Sequence, residues 1–192
     1  MDLISPSSND AVSRRRGDGS YALGVTGTAF RSAVSFARPD NATGYTAGDV
    51  IGIADSGTPA NAGSAIHTLS NIGPAGGYVL VQSARLVIGE TSVPAGIGVM
   101  RLHFYNASPT AILDNAAFDL VAGDVAKYLG FVDMIAPTDF GSHIVTQVNA
   151  PGLMIKMPSS TTLYAQLQSI GAYTPTAEAT FDLEVLTLEQ SL

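Results

Sequence analysis

The chain has 192 residues, enough for one β-sandwich domain with a sizeable core; 46% are hydrophobic and only 13% charged, about half the usual charged share of roughly 25%. The absence of cysteine excludes disulfides and thiolate metal sites, and a net charge of −7 argues against nucleic acid, whose phosphates require a basic face. No apolar run approaches the roughly 20 residues of a membrane-spanning helix, and the opening MDLISPSSND lacks the cationic and apolar regions of a signal peptide.

Residues 1–20 are polar and rich in serine, and they carry Arg14, Arg15 and Arg16 in one run. They read as an extended, flexible N-terminal arm with too few apolar side chains to order itself. The three arginines are expected to clamp an acidic neighbour subunit, with a solvated tail as the alternative. The tripeptide Arg16-Gly17-Asp18 is too short a match to carry weight. From residue 21 to 192, short apolar runs alternate with turn signals at the spacing of an all-β sandwich or barrel, and an antiparallel, jelly-roll-like β-sandwich is expected.

A first strand is expected over Val25–Phe36. The stretch FARPDNATGYTAGDVIG (Phe36–Gly52) then reads as a β-corner. Pro39 holds Arg38 extended, while Asp40-Asn41, Gly44 and Gly48-Asp49 supply turn chemistry before a strand at Asp49–Ala54. Tyr45 is expected to be structural, its ring packed on the sandwich edge beside Asp49 and its hydroxyl in water.

Further strands are expected at Ala65–Ser70 and at Tyr78–Gly89, the latter apolar on both phases near its ends, as a central or covered strand would be. Gly96–Gly98 reads as a turn leading into VMRLHFYN, where Met100, Leu102 and Phe104 oppose Arg101, His103 and Tyr105. Weak helical signal near Phe118–Tyr128 is interrupted by Gly123. Strands at Tyr128–Met134, His143–Val148 and Leu153–Met157 follow. In TLYAQLQSI, Leu163, Ala165 and Leu167 oppose Tyr164, Gln166 and Gln168; in TFDLEVLTLE, Phe181, Leu183 and Val185 oppose Asp182 and Glu184. Each alternating strand is expected to have one core face and one wet face. The core is expected to contain Leu102, Phe104, Leu163, Phe181, Leu183 and Val185, with Thr180–Leu188 a central strand.

Enzyme signatures are missing: no G-x-S-x-G, no H-E-x-x-H, no phosphate-binding glycine loop. His67, His103 and His143 fall in three separate expected strands; a three-histidine metal site would need those strands adjacent with the same face exposed, and ordinary polar-face residues are the plainer reading. Asp114, Asp119 and Asp124 could serve a calcium or glycosidase site, but no calcium-loop pattern frames them, and solvated loop acids are the plainer reading. Asn41 and Asn106 match the N-glycosylation pattern, which means nothing without secretion. No catalytic residue, metal or cofactor is expected.

Three stretches together resemble a known family. FARPDNATGYTAGDVIG is similar to an F-x-RP-x-D/N-x-T-x-Y-x-x-GD-V-V pattern. RLHFYNASPTAILDNAAFDL followed by YLGFVDM is similar to L-x-F/L-Y-x-x-x-P-t…DN-a-x-F…YLG-x-v. TLYAQLQSIGAYTPTAEATFDLEVL is similar to LYa-l-x-a-x-gaYTP-a…F-x-v-x-l-x-V. In this order they resemble small virion structural proteins of tailed bacteriophages, over roughly residues 25–188. The resemblance implies a β-sandwich virion component, a head decoration (cement) protein, and brings no catalytic site. The expectation is a homotrimer bound to the major capsid protein on the outer surface of the capsid, with no nucleic-acid or membrane partner. The alternative is a phage fibre or neck component, or a carbohydrate-binding sandwich adhesin; the absence of Trp counts against sugar stacking.

Overall fold

A computed structural model of the chain describes residues 27–53 and 66–190, together with the backbone of two short N-terminal strands. Those two, β1 (Val12–Arg15) and β2 (Tyr21–Gly24), pair antiparallel with each other in a sheet of their own. The main body follows with β3 (Ala29–Ala37), β4 (Val50–Ile51), β5 (His67–Leu69), β6 (Tyr78–Ile88), β7 (Met100–Tyr105) and β8 (Tyr128–Met134). It is completed by β9 (Thr138–Asp139), β10 (Ile144–Asn149), β11 (Met154–Lys156), β12 (Leu163–Ser169) and β13 (Thr180–Gln190). Near residue 123 the chain forms only a 3-10 turn, Ala122–Asp124.

One sheet runs β3-β13-β6-β10-β9, with β11 beside β6; the other runs β4-β12-β7-β8, with β5 on β12. With the short β5, β9 and β11 set aside, eight strands remain. In chain order the first pairs with the eighth (β3 with β13), the second with the seventh (β4 with β12), the third with the sixth (β6 with β10) and the fourth with the fifth (β7 with β8). Every one of these pairs is antiparallel. A long hairpin rolled onto itself gives this nesting, and the protein is therefore an all-β antiparallel jelly-roll sandwich. Strand β13 is central, between β3 and β6.

The doubly apolar pattern of β6 has a local cause. Val79 and Val81 are buried, then Ala84, Leu86 and Ile88, so the inward phase shifts by one between them. Pairing with β13 skips Gln82, because Leu186 faces Ser83 and Thr187 faces Val81. This is a β-bulge. The neighbour on the other side breaks at the same level: β10 ends at Asn149, and the chain passes through Ala150 and Gly152 at positive φ before β11 resumes the pairing.

Between the sheets lie Leu102, Phe104, Leu163, Phe181, Leu183 and Val185, all buried, with Leu86, Ile88, Met100, Met134 and Ile144. Phe36 of β3 stacks on Phe181 with ring centroids 5.0 Å apart. Close backbone crossing fixes the turn before β7: Gly96 has φ +84, and a Cβ on Gly171 would collide with Gly96 O and Gly98 N.

The expected wet faces of β7 and β12 are not wet. His103, Tyr105, Gln166 and Gln168 are buried, with Arg101 and Tyr164 half-buried, because the connection 106–127 and the corner at Gly48 lie across the outside of their sheet. Phe118 stacks on the His103 ring at 3.9 Å. The side chain of Gln166 donates to Thr110 O at 3.0 Å, and that of Gln168 to Gly48 O at 2.9 Å. On β13 the alternation does hold, with Asp182 exposed and Glu184 half-buried outside the core face.

Candidate functional site

The segment 38–49 carries the chain from β3 in one sheet to β4 in the other. Its backbone is tied at several points: Arg38 N–H donates to Ala179 O, Tyr45 N–H to Tyr173 O and Gly48 N–H to Ser169 O. The side chain of Asp49 folds back to accept from Thr46 N–H at 2.6 Å and from its hydroxyl at 2.9 Å, and Asp49 also forms a backbone bridge with Ala117. Gly48 takes φ +101 to make the turn.

Inside this corner sits a buried ion pair. Arg38 and Asp114, 76 residues apart, are closed to solvent, with Nη2 and Oδ2 3.4 Å apart. Between them lies Tyr45, 3% exposed: its hydroxyl donates to Asp114 Oδ1 at 2.6 Å and accepts from Arg38 Nε at 3.2 Å. Gly52 N–H completes the carboxylate's partners at 2.9 Å. Arg38 also donates to Asn41 O, to Asn41 Oδ1 and to Thr43 O. The Tyr45 and Tyr173 rings pack 5.2 Å apart, and nearby the buried Glu90 accepts from the backbone N–H and the hydroxyl of Thr176, each at 2.7 Å. Burial pushes the Asp114 carboxyl above the usual carboxylate range, against the pull of Gly52 N–H, the Tyr45 hydroxyl and Arg38. The Tyr45 phenol is driven far above its ordinary value by burial and then by the Asp114 charge.

The sequence reading of Tyr45 therefore needs a correction. Its hydroxyl lies in the centre of a buried network, not in water, because Asp114 arrives from the connection between β7 and β8. Sequence reasoning missed Arg38, Glu90 and the pairing of Arg38 with Asp114. The available signal was the joint presence of the three stretches, since Arg38 and Tyr45 stand in the first, Asp114 in the second, and Tyr173 and Thr176 in the third. All three converge on this corner. With Asp114 neutralised by Arg38, the arrangement offers no free nucleophile or base, and its chemistry is that of a structural clasp.

The remaining candidates are dispersed. Among the described residues, no group of three His, Asp or Glu side chains could hold a metal ion. Asp124 is pulled below the usual carboxylate range by Lys127, whose Nζ lies 2.8 Å away, and it also accepts from Thr110 N–H. Asp119 is exposed elsewhere on the same connection. Between the sheets lies His67; His103 is under the covering connection, and His143 is exposed. The backbone of Arg14 and Arg15 belongs to β1, opposite Ala22 and Tyr21; Arg16 and the side chains of all three lie outside the described residues. Large apolar side chains stand exposed at Phe140, Ile135, Val125, Met154 and Phe131.

No family model matches this chain, and no curated protein matches it in sequence. Among solved structures it is similar to a chain of the cyanophage Pam1 capsid asymmetric unit, 18% identical with TM-score 0.33, covering 96% of this chain and 99% of that one. It is also similar to a chain of the heated Israeli acute paralysis virus full particle, 12% identical with TM-score 0.31, covering 100% and 83%. A third is the decameric BFDV capsid protein, 12% identical with TM-score 0.33, covering 84% and 96%. All three superpose loosely.

Proposed function

We propose that this chain is a structural protein of a virus particle, a decoration (cement) protein that binds the outside of an assembled phage head and stabilises it. The observation that carries this reading is the convergence of the three family-like stretches on the Arg38–Tyr45–Asp114 clasp. The residues behind the resemblance to tailed-phage virion proteins are those that lock the jelly roll's corner, so the shared feature is a rigid body and not a reaction. Exposed Phe140, Ile135 and Phe131 on a chain of low charge density fit a protein that meets partners over its surface. The partner in this reading is the major capsid protein, with three copies meeting at threefold positions. A ligand that binds only the assembled shell stabilises that shell by mass action, and a net charge of −7 suits a position away from the packaged polyanion.

The N-terminal arm is proposed to add to attachment through Arg14, Arg15 and Arg16. The test uses heads from phage lacking this protein, mixed with purified chain and sedimented. Saturable co-sedimentation that raises the temperature of head disruption is expected, with occupancy by a chain lacking residues 1–17 falling most at low ionic strength, where charge contacts are least screened. Absence of binding to heads by the intact chain overturns the cement reading. Equal occupancy by both chains across the salt series overturns the role of the arm.

A further inference from the structure

His67 opens β5 and faces inward, 2% exposed. Its strand belongs to one sheet, where it pairs with Ala165 of β12, but its ring packs against the other. The imidazole centroid lies 4.4 Å from that of Phe36 on β3, and Phe36 in turn stacks on Phe181 of β13. Three rings thus join the two sheets at the edge where β3 and β5 approach. Nε2 of His67 is buried without a hydrogen-bond partner. Among the described residues, the side chains brought against it, Phe36 from β3 and Ala165 from β12, neither titrate nor carry charge. Burial alone acts on the imidazole, holding it down to about 4.

The other buried histidine shows what is missing. His103 has Gln168 Oε1 at 3.0 Å from Nε2 and the Tyr128 hydroxyl at 3.1 Å from Nδ1. A doubly protonated His103 still finds an oxygen for each nitrogen. A proton on His67 Nε2 finds none, and only water can supply an acceptor. Strand β5 is three residues long and pairs with β12 alone, so few ladder bonds hold its leading end in place.

We propose that protonation of His67 opens this edge locally, freeing the start of β5 from β3 and further uncovering the half-buried Phe36 while the rolled sheets stay intact. The device is an acid-sensitive latch between the sheets, and it stands whether or not the chain decorates a capsid.

Amide hydrogen exchange and the His67 Cε1–H titration, both followed by NMR on the intact chain, test it. If the opened imidazole regains its ordinary value of 6.5 from about 4, protection of the β5 amides that donate to β12 at pH 4.5, corrected for intrinsic rates, falls by roughly 50- to 100-fold relative to pH 8. The Leu102 and Leu183 amides are expected to remain more protected than those of β5 at both pH values. His67→Phe, which keeps a ring on Phe36 but has no site for the proton, is expected to abolish the fall. An equal fall in His67→Phe overturns the proposal, as does titration of His67 with β5 protection unchanged. Should that variant not fold, the wild type decides: coincident curves for His67 titration and β5 protection support the latch, and separate curves overturn it.

Discussion

Replacing Asp114 by Ala removes one partner of an ion pair whose side chains are 0% and 1% exposed. The Arg38 guanidinium then remains buried without its counter-charge, and breaking a buried pair from one side costs about 3–5 kcal/mol. That is a large part of the roughly 5–15 kcal/mol that holds an ordinary domain together. Tyr45→Phe is smaller: it deletes a hydroxyl that donates at 2.6 Å to the carboxylate, a charge-assisted bond of about 1.5–3 kcal/mol, while Gly52 N–H and Arg38 stay in place. In the Asp114→Ala background the hydroxyl has lost its acceptor, so adding Tyr45→Phe is expected to cost less than about 1 kcal/mol. That non-additivity marks a shared network. Urea unfolding of the wild type, the two single variants and the double variant measures all three quantities. A Tyr45→Phe midpoint equal to that of the wild type would refute the buried clasp and restore a solvent-facing hydroxyl.

Phe181→Ala empties the centre of the inter-sheet core, where Phe181 is fully buried against Phe36, and is expected to cost about 3–5 kcal/mol in urea unfolding. An unchanged midpoint would place β13 outside the core. Gly171→Ala forces a Cβ onto Gly96 O and Gly98 N, backbone atoms that cannot swing aside, so a clear drop in thermal midpoint is expected, and wild-type stability would show that the two turns separate freely. Acid is expected to weaken the whole fold through His67 and His103, both held down from 6.5 to about 4 mainly by burial. The unfolded chain binds the extra protons, so stability is full above 6.5 and is lost as pH falls toward 4, by about 2 kcal/mol per histidine between pH 8 and pH 5. Asp114, held up by burial, works in the opposite direction. Urea midpoints that stay flat from pH 8 to pH 5 would contradict the burial of both imidazoles.

Strand positions were legible because their signal is local. Alternation in TFDLEVLTLE places Phe181, Leu183 and Val185 inward on β13, and Tyr128–Met134 is a strand over the residues expected. The same alternation misled at His103, Tyr105, Gln166 and Gln168. Polar residues opposite an apolar face look wet in sequence, and only the path of the connection 106–127 shows that they are covered. The two apolar phases of β6 were visible, but their cause, a bulge at Gln82, depends on registers with β13 that sequence does not carry. In the corner, Tyr45 and Asp49 drew notice as turn neighbours. Arg38 and Asp114 did not pair on paper, since 76 residues separate them and no local rule brings an arginine that follows a strand to a loop aspartate.

The proposed function makes the chain an external component of a phage head. A cryo-electron microscopy reconstruction of the intact particle that carries this protein tests it most directly. Jelly-roll density is expected on the outer capsid surface at threefold positions, traceable from β3 to β13 with the Arg38–Asp114 corner resolved, and missing from particles made without the chain. Heads whose outer surface is unchanged when the chain is absent, or density for it confined to the tail, would contradict it.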